Sequence, residues 1–127
     1  AVKEKKVPAA SEADDWSLDI AMKLGKSIYQ RNCQACHQAN GMGMPPVIPA
    51  MVGGKITTGP VEGHIHVLLH GIKGSAMQSF NWLTDQEIAA VVTYERNDWG
   101  NDNVDAYGEH AGGLVMPADV KSMREGN

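Results

Sequence analysis

From Trp16 onward, apolar residues recur with a helical period. Ala21, Leu24, Gly25, Ile28 and Tyr29 fall on one side, with Lys23, Lys26, Gln30 and Arg31 on the other, which predicts an amphipathic helix. Cys33 continues the face that carries Gly25 and Tyr29, so the apolar stripe points toward whatever the cysteine holds. A shorter helix is expected to open at Gly59-Pro60, with Pro60 at its first helical position. Ile65, Leu68 and Leu69 form its buried side, and Gly71 stops it. The clearest signal covers Asp85–Asn97. Thr84 is a natural N-cap, Glu87 completes a capping box, and Leu83 and Ile88 stand where a hydrophobic staple closes. Ile88, Val91 and Val92 make the core stripe, and Gly100 ends the segment. One last short helix is expected over 117–124. No strand-like alternation of any length occurs, so the fold class is all-α.

The intervening segments divide the chain. Residues 1–14 have no apolar periodicity and read as a linker or disordered start, followed by a domain over 15–100 and a C-terminal extension over 101–127. Within the domain, Gln38–Gly59 is rich in Gly, Pro and Met and has no period. So long a loop in a compact domain is normally functional, and wrapping a cofactor would explain it.

Composition narrows the function. Aromatics are scarce, at three Trp, three Tyr and one Phe, so a buried prosthetic group could supply area that rings usually supply. A net charge of −4 argues against nucleic-acid binding. No apolar run is long enough to span a bilayer, and the residues after Ala1 lead into no signal-peptide core. The chain therefore reads as a mature protein or an excised domain.

Both cysteines lie in one motif. Cys33-Gln34-Ala35-Cys36-His37 is C-x-x-C-H, the attachment signature of c-type haem. Two thiols three residues apart at a helix end can reach the two vinyl groups on one porphyrin edge, and the next residue then offers its imidazole to the iron. Two other chemistries compete for the same residues. A dithiol redox pair normally follows a strand in a βαβ pattern, which is not seen here. A zinc site would need completion by His64, His66, His70 or His110.

A six-coordinate haem needs a second axial ligand, for which Met is the soft donor. Met22, Met42, Met44, Met51, Met77, Met116 and Met123 compete. Met77 lies in the irregular segment Gly71–Phe80 between two helices, where a loop can cross the far haem face, and it is the chosen ligand. Met42 and Met44 lie too close to His37 in sequence to cross easily. His37 also needs an acceptor for its other ring nitrogen, and the stiff Pro45–Pro49 stretch offers carbonyls, that of Pro49 first. Apolar residues of the Met42–Met51 loop, Met51 among them, are expected to ring the haem edge.

These residues resemble the class I cytochrome c family over about Gly25 to Trp99. Gly25 and Tyr29, with Val91 and Tyr94, match the family's crossed-helix contact. Cys33, Cys36 and His37 match its attachment site, Pro49 the carbonyl acceptor and Met77 the distal ligand. Gln78 follows Met77 where the family often has proline. The resemblance implies a class I cytochrome c fold, its N- and C-terminal helices crossing around one covalent haem c. A narrower likeness lies in Gly41–Pro46, Thr58–Pro60, His64–Val67, Tyr94–Asn101 and Met116–Lys121. These strings resemble the fused C-terminal cytochrome c domain of subunit II in caa-type haem–copper oxidases. That likeness implies redox-protein partners, with electrons passed to the dinuclear copper domain of the same subunit. It also implies the periplasm or outer face of the bacterial cytoplasmic membrane.

Other features have plainer readings. His64, His66 and His70 read as a polar helix face. Met42, Met44 and Met51 could bind copper(I), though soft packing beside a haem edge fits them better. Trp82 and Trp99 could pack near the haem or cap the last helix. The acidic clusters Glu12–Asp19 and Asp98–Asp105 read as solvated faces that could attract a basic donor. The expected function is electron transfer by a non-enzymatic His37/Met77 haem domain. Its rivals are a free-standing periplasmic carrier, a thiol–disulfide oxidoreductase, and a haem sensor or peroxidase with an open distal site.

Overall fold

A computed structural model describes residues 16–104 and 111–126. The expected linker over 1–14 and His110 lie outside the described residues. Helix α1 spans Leu18–Asn32. Ser17 caps it by accepting from the Ile20 amide, and Asp19 and Arg31 complement the positive and negative ends of its dipole. Its buried face is Ala21, Gly25, Ile28 and Tyr29. At Cys33 the backbone turns away from helical values and a single new turn begins, α2 (Gln34–His37).

Helix α3 spans Val61–His70 and starts one residue later than expected, so Pro60 stands at the N-cap rather than inside the helix. Its buried side carries Ile65, Leu68 and Leu69, and Gly71 closes it in the left-handed region. Helix α4 spans Asp85–Asn97, and both hydrogen bonds of its Thr84–Glu87 capping box are present. Every residue from Ile88 to Arg96 is buried, which makes α4 the centre of the molecule. The helical backbone breaks where Gly100 was expected to end it: within the 3₁₀ segment Asp98–Asn103 the chain kinks at Trp99 and Gly100, both at positive φ. Helix α5 spans Pro117–Gly126. Among the described residues the only extended pairing is the isolated bridge Met44–Ile48.

Helices α1 and α5 both pack on α4, and α1 makes the more extensive contact. The Tyr29 and Tyr94 rings meet there at 5.5 Å, and Trp99 packs edge-on against both. The two ends of the described chain are tied together by the Trp16 indole N–H, which donates to the Val115 carbonyl at 2.8 Å. Arg124 on α5 reaches Asp85 and the carbonyls of Asn81 and Leu83, which anchors α5 at the start of α4. One core results, with Cys33 among its buried members.

Candidate functional site

The C-x-x-C-H segment straddles the break between α1 and α2. The Cys33 amide still bonds the Tyr29 carbonyl in the α1 pattern, while the amides of Cys36 and His37 both turn to the Cys33 carbonyl at 3.2 and 2.9 Å. The turn buries Cys33 against the core and leaves Cys36 exposed at the surface. His37 is half-buried, and its Nδ1 is buried with no hydrogen-bond partner among the described residues. Burial lowers the His37 pKa, and the Glu95 charge partly opposes it. Burial pushes the Cys33 thiol well above its ordinary range, with Glu95 and Cys36 adding to the shift. A dithiol oxidoreductase needs the reverse, a thiol held low in an electropositive setting.

The long loop after His37 is tied down at many points. Tyr29 Oη donates to the Gln38 carbonyl at 2.5 Å, and Trp99 Nε1 donates to the Ala39 carbonyl at 3.1 Å. The Gly43 amide bonds the His37 carbonyl, and a Cβ on Gly43 would stand 2.7 Å from the Pro49 carbonyl oxygen. Pro49 therefore lies in the same small neighbourhood as His37. The amides of Met51 and Val52 return to the Gly41 carbonyl. Asn101, fully buried, accepts from the Gly53 amide and donates to the carbonyls of Met51 and Glu95.

The methionines separate by environment. Met51 and Met77 come from loops and pack partly buried against the core; Met22 and Met123 do so from helices. Met42 and Met44 are about half exposed, at 50% and 51%, and Met116 is exposed too. The Met77 segment is held by its backbone. The Ile72 amide bonds the Met77 carbonyl at 2.9 Å, Ser79 Oγ donates to Leu69, and the Phe80 amide donates to Leu68. A Cβ on Gly71 would stand 2.6 Å from the Met77 carbonyl, so only glycine lets this segment pass so close to the end of α3.

The three histidines do not share one face. His66 and His70 are exposed, as a polar face requires, with rings 4.4 Å apart. His64 departs from that expectation: it is buried, and its Nε2 lies 2.7 Å from Glu95 Oε1. Glu95 was missed in the sequence although a signal exists. It follows Ile88, Val91 and Val92 at the next position of the buried stripe, where a charge needs an internal partner. Arg96 was missed too; it is buried and donates to the carbonyls of Ala111, Thr57 and Gly59. Among the described residues no three His, Cys, Asp or Glu side chains gather into a metal-holding group, so the zinc reading finds no support there. Trp82 is exposed, whereas Trp99 packs on Tyr29 and Tyr94.

Similarity to known proteins runs across this region. The family described as "Cytochrome C oxidase, cbb3-type, subunit III" matches residues 21–94. The chain is 36% identical over 98 residues to cytochrome c-552 of Thermus thermophilus, covering 66% of each chain. It is 32% identical over 111 residues to the cytochrome c subunit of the alcohol dehydrogenase (quinone) of Gluconobacter oxydans. That match covers 79% of this chain and 22% of the relative. The crystal structure of the c-type cytochrome XoxG from Methylobacterium extorquens AM1 superposes with a TM-score of 0.50 at 19% identity, covering 84% of this chain and 65% of that one, a likeness of fold.

Proposed function

The chain belongs to the cytochrome c family, and from that membership we propose that it carries single electrons through one covalent haem c held by Cys33, Cys36, His37 and Met77. It acts as an electron carrier rather than a catalyst. Bound haem supplies an iron that alternates between the ferric and ferrous states, and the chain's own residues do the rest.

Support comes first from the turn at the end of α1, where Cys33 is buried and Nδ1 of His37 is buried with no hydrogen-bond partner among the described residues. Such a pair of groups fits a prosthetic group better than it fits dithiol chemistry. Cys33 and Cys36 would form the thioethers to haem, and His37 would supply an imidazole nitrogen to its iron. The Pro49 carbonyl lies close to the backbone around His37 and would be the acceptor for His37 Nδ1 once haem is bound. Met77 would supply its thioether to the iron from the loop after α3, and Met51 would add apolar cover.

The acceptor in this reading is the dinuclear copper centre of a parent terminal oxidase, and the place of work is the periplasm or the outer face of the cytoplasmic membrane. Its support is the resemblance over Gly41–Pro46, Thr58–Pro60 and Tyr94–Asn101. A second reading, a free-standing periplasmic electron carrier, has a specific observation behind it: the relatives include a cytochrome c-552, of which this chain spans about two thirds, beside a quinone-dehydrogenase cytochrome c subunit, of which it spans about one fifth. Among the described residues no helix is long and apolar enough to cross a membrane.

The deciding measurement is an optical spectrum, oxidised and reduced, of protein made in cells that attach haem c. Sharp c-type bands on reduction, with the weak far-red band of Met-ligated ferric iron, are expected. A colourless protein with two titratable thiols would return the motif to thiol chemistry. Rapid mixing of the reduced protein with a soluble dinuclear copper fragment then tests the acceptor; no transfer beyond that seen with an unrelated copper protein would favour the second reading.

A further inference from the structure

Helix α3 carries two exposed histidines that the attachment turn does not use. His66 and His70 stand four residues apart, with ring centroids separated by 4.4 Å and planes tilted by 43°. We propose that these two imidazoles form a surface chelate for one late first-row divalent cation, held most tightly when the cation is copper(II). The site uses none of the residues assigned to haem and does not depend on the haem reading.

Helix geometry brings the donors together. Residues four apart rise about 6 Å along an α-helix and lie on the same face as neighbours. Two histidines at that spacing on one helix face are the pair that holds the metal in helical zinc motifs. Here the rings already touch, so rotation of the side chains alone brings a nitrogen from each toward a shared ion. Imidazole suits copper, nickel and zinc, whereas calcium and magnesium take oxygen ligands. For a given set of donors copper(II) stands at the top of the divalent affinity order.

The surroundings leave the face open and favour positive charge. Gly63, three residues before His66 and seven before His70, shares their side of the helix, and a Cβ built on it would meet nothing within 4 Å. Packing therefore does not demand glycine there, although glycine weakens a helix. The missing side chain leaves room beside His66. Glu62, exposed one turn before His66, adds a carboxylate to the same row, and His70 ends the helix, where the dipole favours a cation. Three ligating side chains do not gather among the described residues, so the two rings supply the protein's donors and water completes the shell. His64 shows the contrast: it faces the core, bonded to Glu95, and takes no part.

The test is titration of the untagged, haem-loaded ferric protein with copper(II) alone, read by calorimetry and by the electron paramagnetic resonance of the copper. One copper(II) bound through two imidazole nitrogens is expected. His66→Gln or His70→Gln removes one arm of the chelate. Each should weaken binding by about 100-fold, because linking two binding groups raises affinity by about 10²–10⁴. His110→Gln should leave the affinity unchanged. Zinc should raise the Tm of the parent but not that of His66→Gln/His70→Gln, and magnesium should move neither. The proposal falls if the double variant binds copper(II) as tightly as the parent, or if magnesium stabilises the parent as zinc does, since charge alone would then be at work. Both rings are exposed, so the double variant should keep the parent's circular dichroism. Should it fail to fold, the parent still decides: a copper signal with fewer than two imidazole nitrogens overturns the proposal without any variant. A parent without c-type bands would overturn the haem reading and leave this test standing.

Discussion

Gly25 on α1 passes so close to Ala90 on α4 that a Cβ built on it would stand 2.2 Å from the Ala90 carbonyl oxygen and 2.7 Å from Tyr94 Cβ. The obstacle is backbone, which cannot rotate aside. The whole α1–α4 crossing, and with it the Tyr29–Tyr94–Trp99 cluster, depends on that missing methyl.

Gly25→Ala should therefore destabilise the fold by about 3 kcal/mol or more, the upper range for overpacking, despite alanine's better helix propensity. Chemical denaturation followed by circular dichroism measures it. A gain in stability would mean that α1 can shift away from α4 without loss.

Stability should also fall in alkali. Burial raises the phenol pKa of Tyr29 above its ordinary value of 10.0, with Glu95 adding, and burial and Asp98 do the same for Tyr94. A raised folded-state pKa means that the folded protein holds its proton more tightly. That contribution is fully present below the ordinary value and is lost as pH rises through the folded one. Unfolding free energy should decline above about pH 10, by up to about 1.4 kcal/mol per pH unit for each such tyrosine. Tyr29→Phe removes one share of that slope, and at neutral pH it costs about 1 kcal/mol for the lost bond to Gln38. Equal slopes in parent and variant would show that Tyr29 is not the titrating group.

Asn101→Leu should loosen the Met51 loop. The amide satisfies the Gly53 N–H and the carbonyls of Met51 and Glu95, which are far apart in sequence. Losing all three should lower stability by about 2–4 kcal/mol. Amide exchange at Gly53 should quicken more than exchange in α4. Uniform quickening would mean that the clamp stabilises the whole fold rather than the loop.

Met77→Ala tests the proposed distal ligand. Losing the thioether should lower the reduction potential by a sizeable part of the roughly 0.8 V that axial ligands command. The far-red ferric band should vanish, and the ferrous form should bind carbon monoxide. If all three properties stay at the parent's values, another methionine is the ligand, and Met51 is the next to substitute because it too packs against the core from a loop.

Much of the fold was legible because its signals are local. The Thr84–Glu87 box spans four residues, and the apolar stripes of α1, α3 and α4 need only a window of three turns. Boundaries were read less well. Pro60 sits at the cap of α3 instead of its first turn, and the break expected at Gly100 already begins at Trp99, which takes a left-handed conformation. The attachment motif was readable for the same reason as the caps, since its donors lie within five residues of one another.

What the sequence alone determined about this protein is thus its helical class, its capped helices and the presence of a contiguous C-x-x-C-H motif. Tertiary structure decided which polar residues lie inside. His64 resembles His66 and His70 in sequence, yet it alone turns inward, because a partner 31 residues away stands opposite it on α4. Packing likewise turned Arg96 toward carbonyls 37 and 39 residues earlier, and Asn101 toward the Met51 loop. Packing, too, set Met51 and Met77 against the core while leaving Met42 and Met44 half exposed. A short-range pattern records which face of a helix is apolar, but whether a buried charge is tolerated depends on what the other helices bring to meet it.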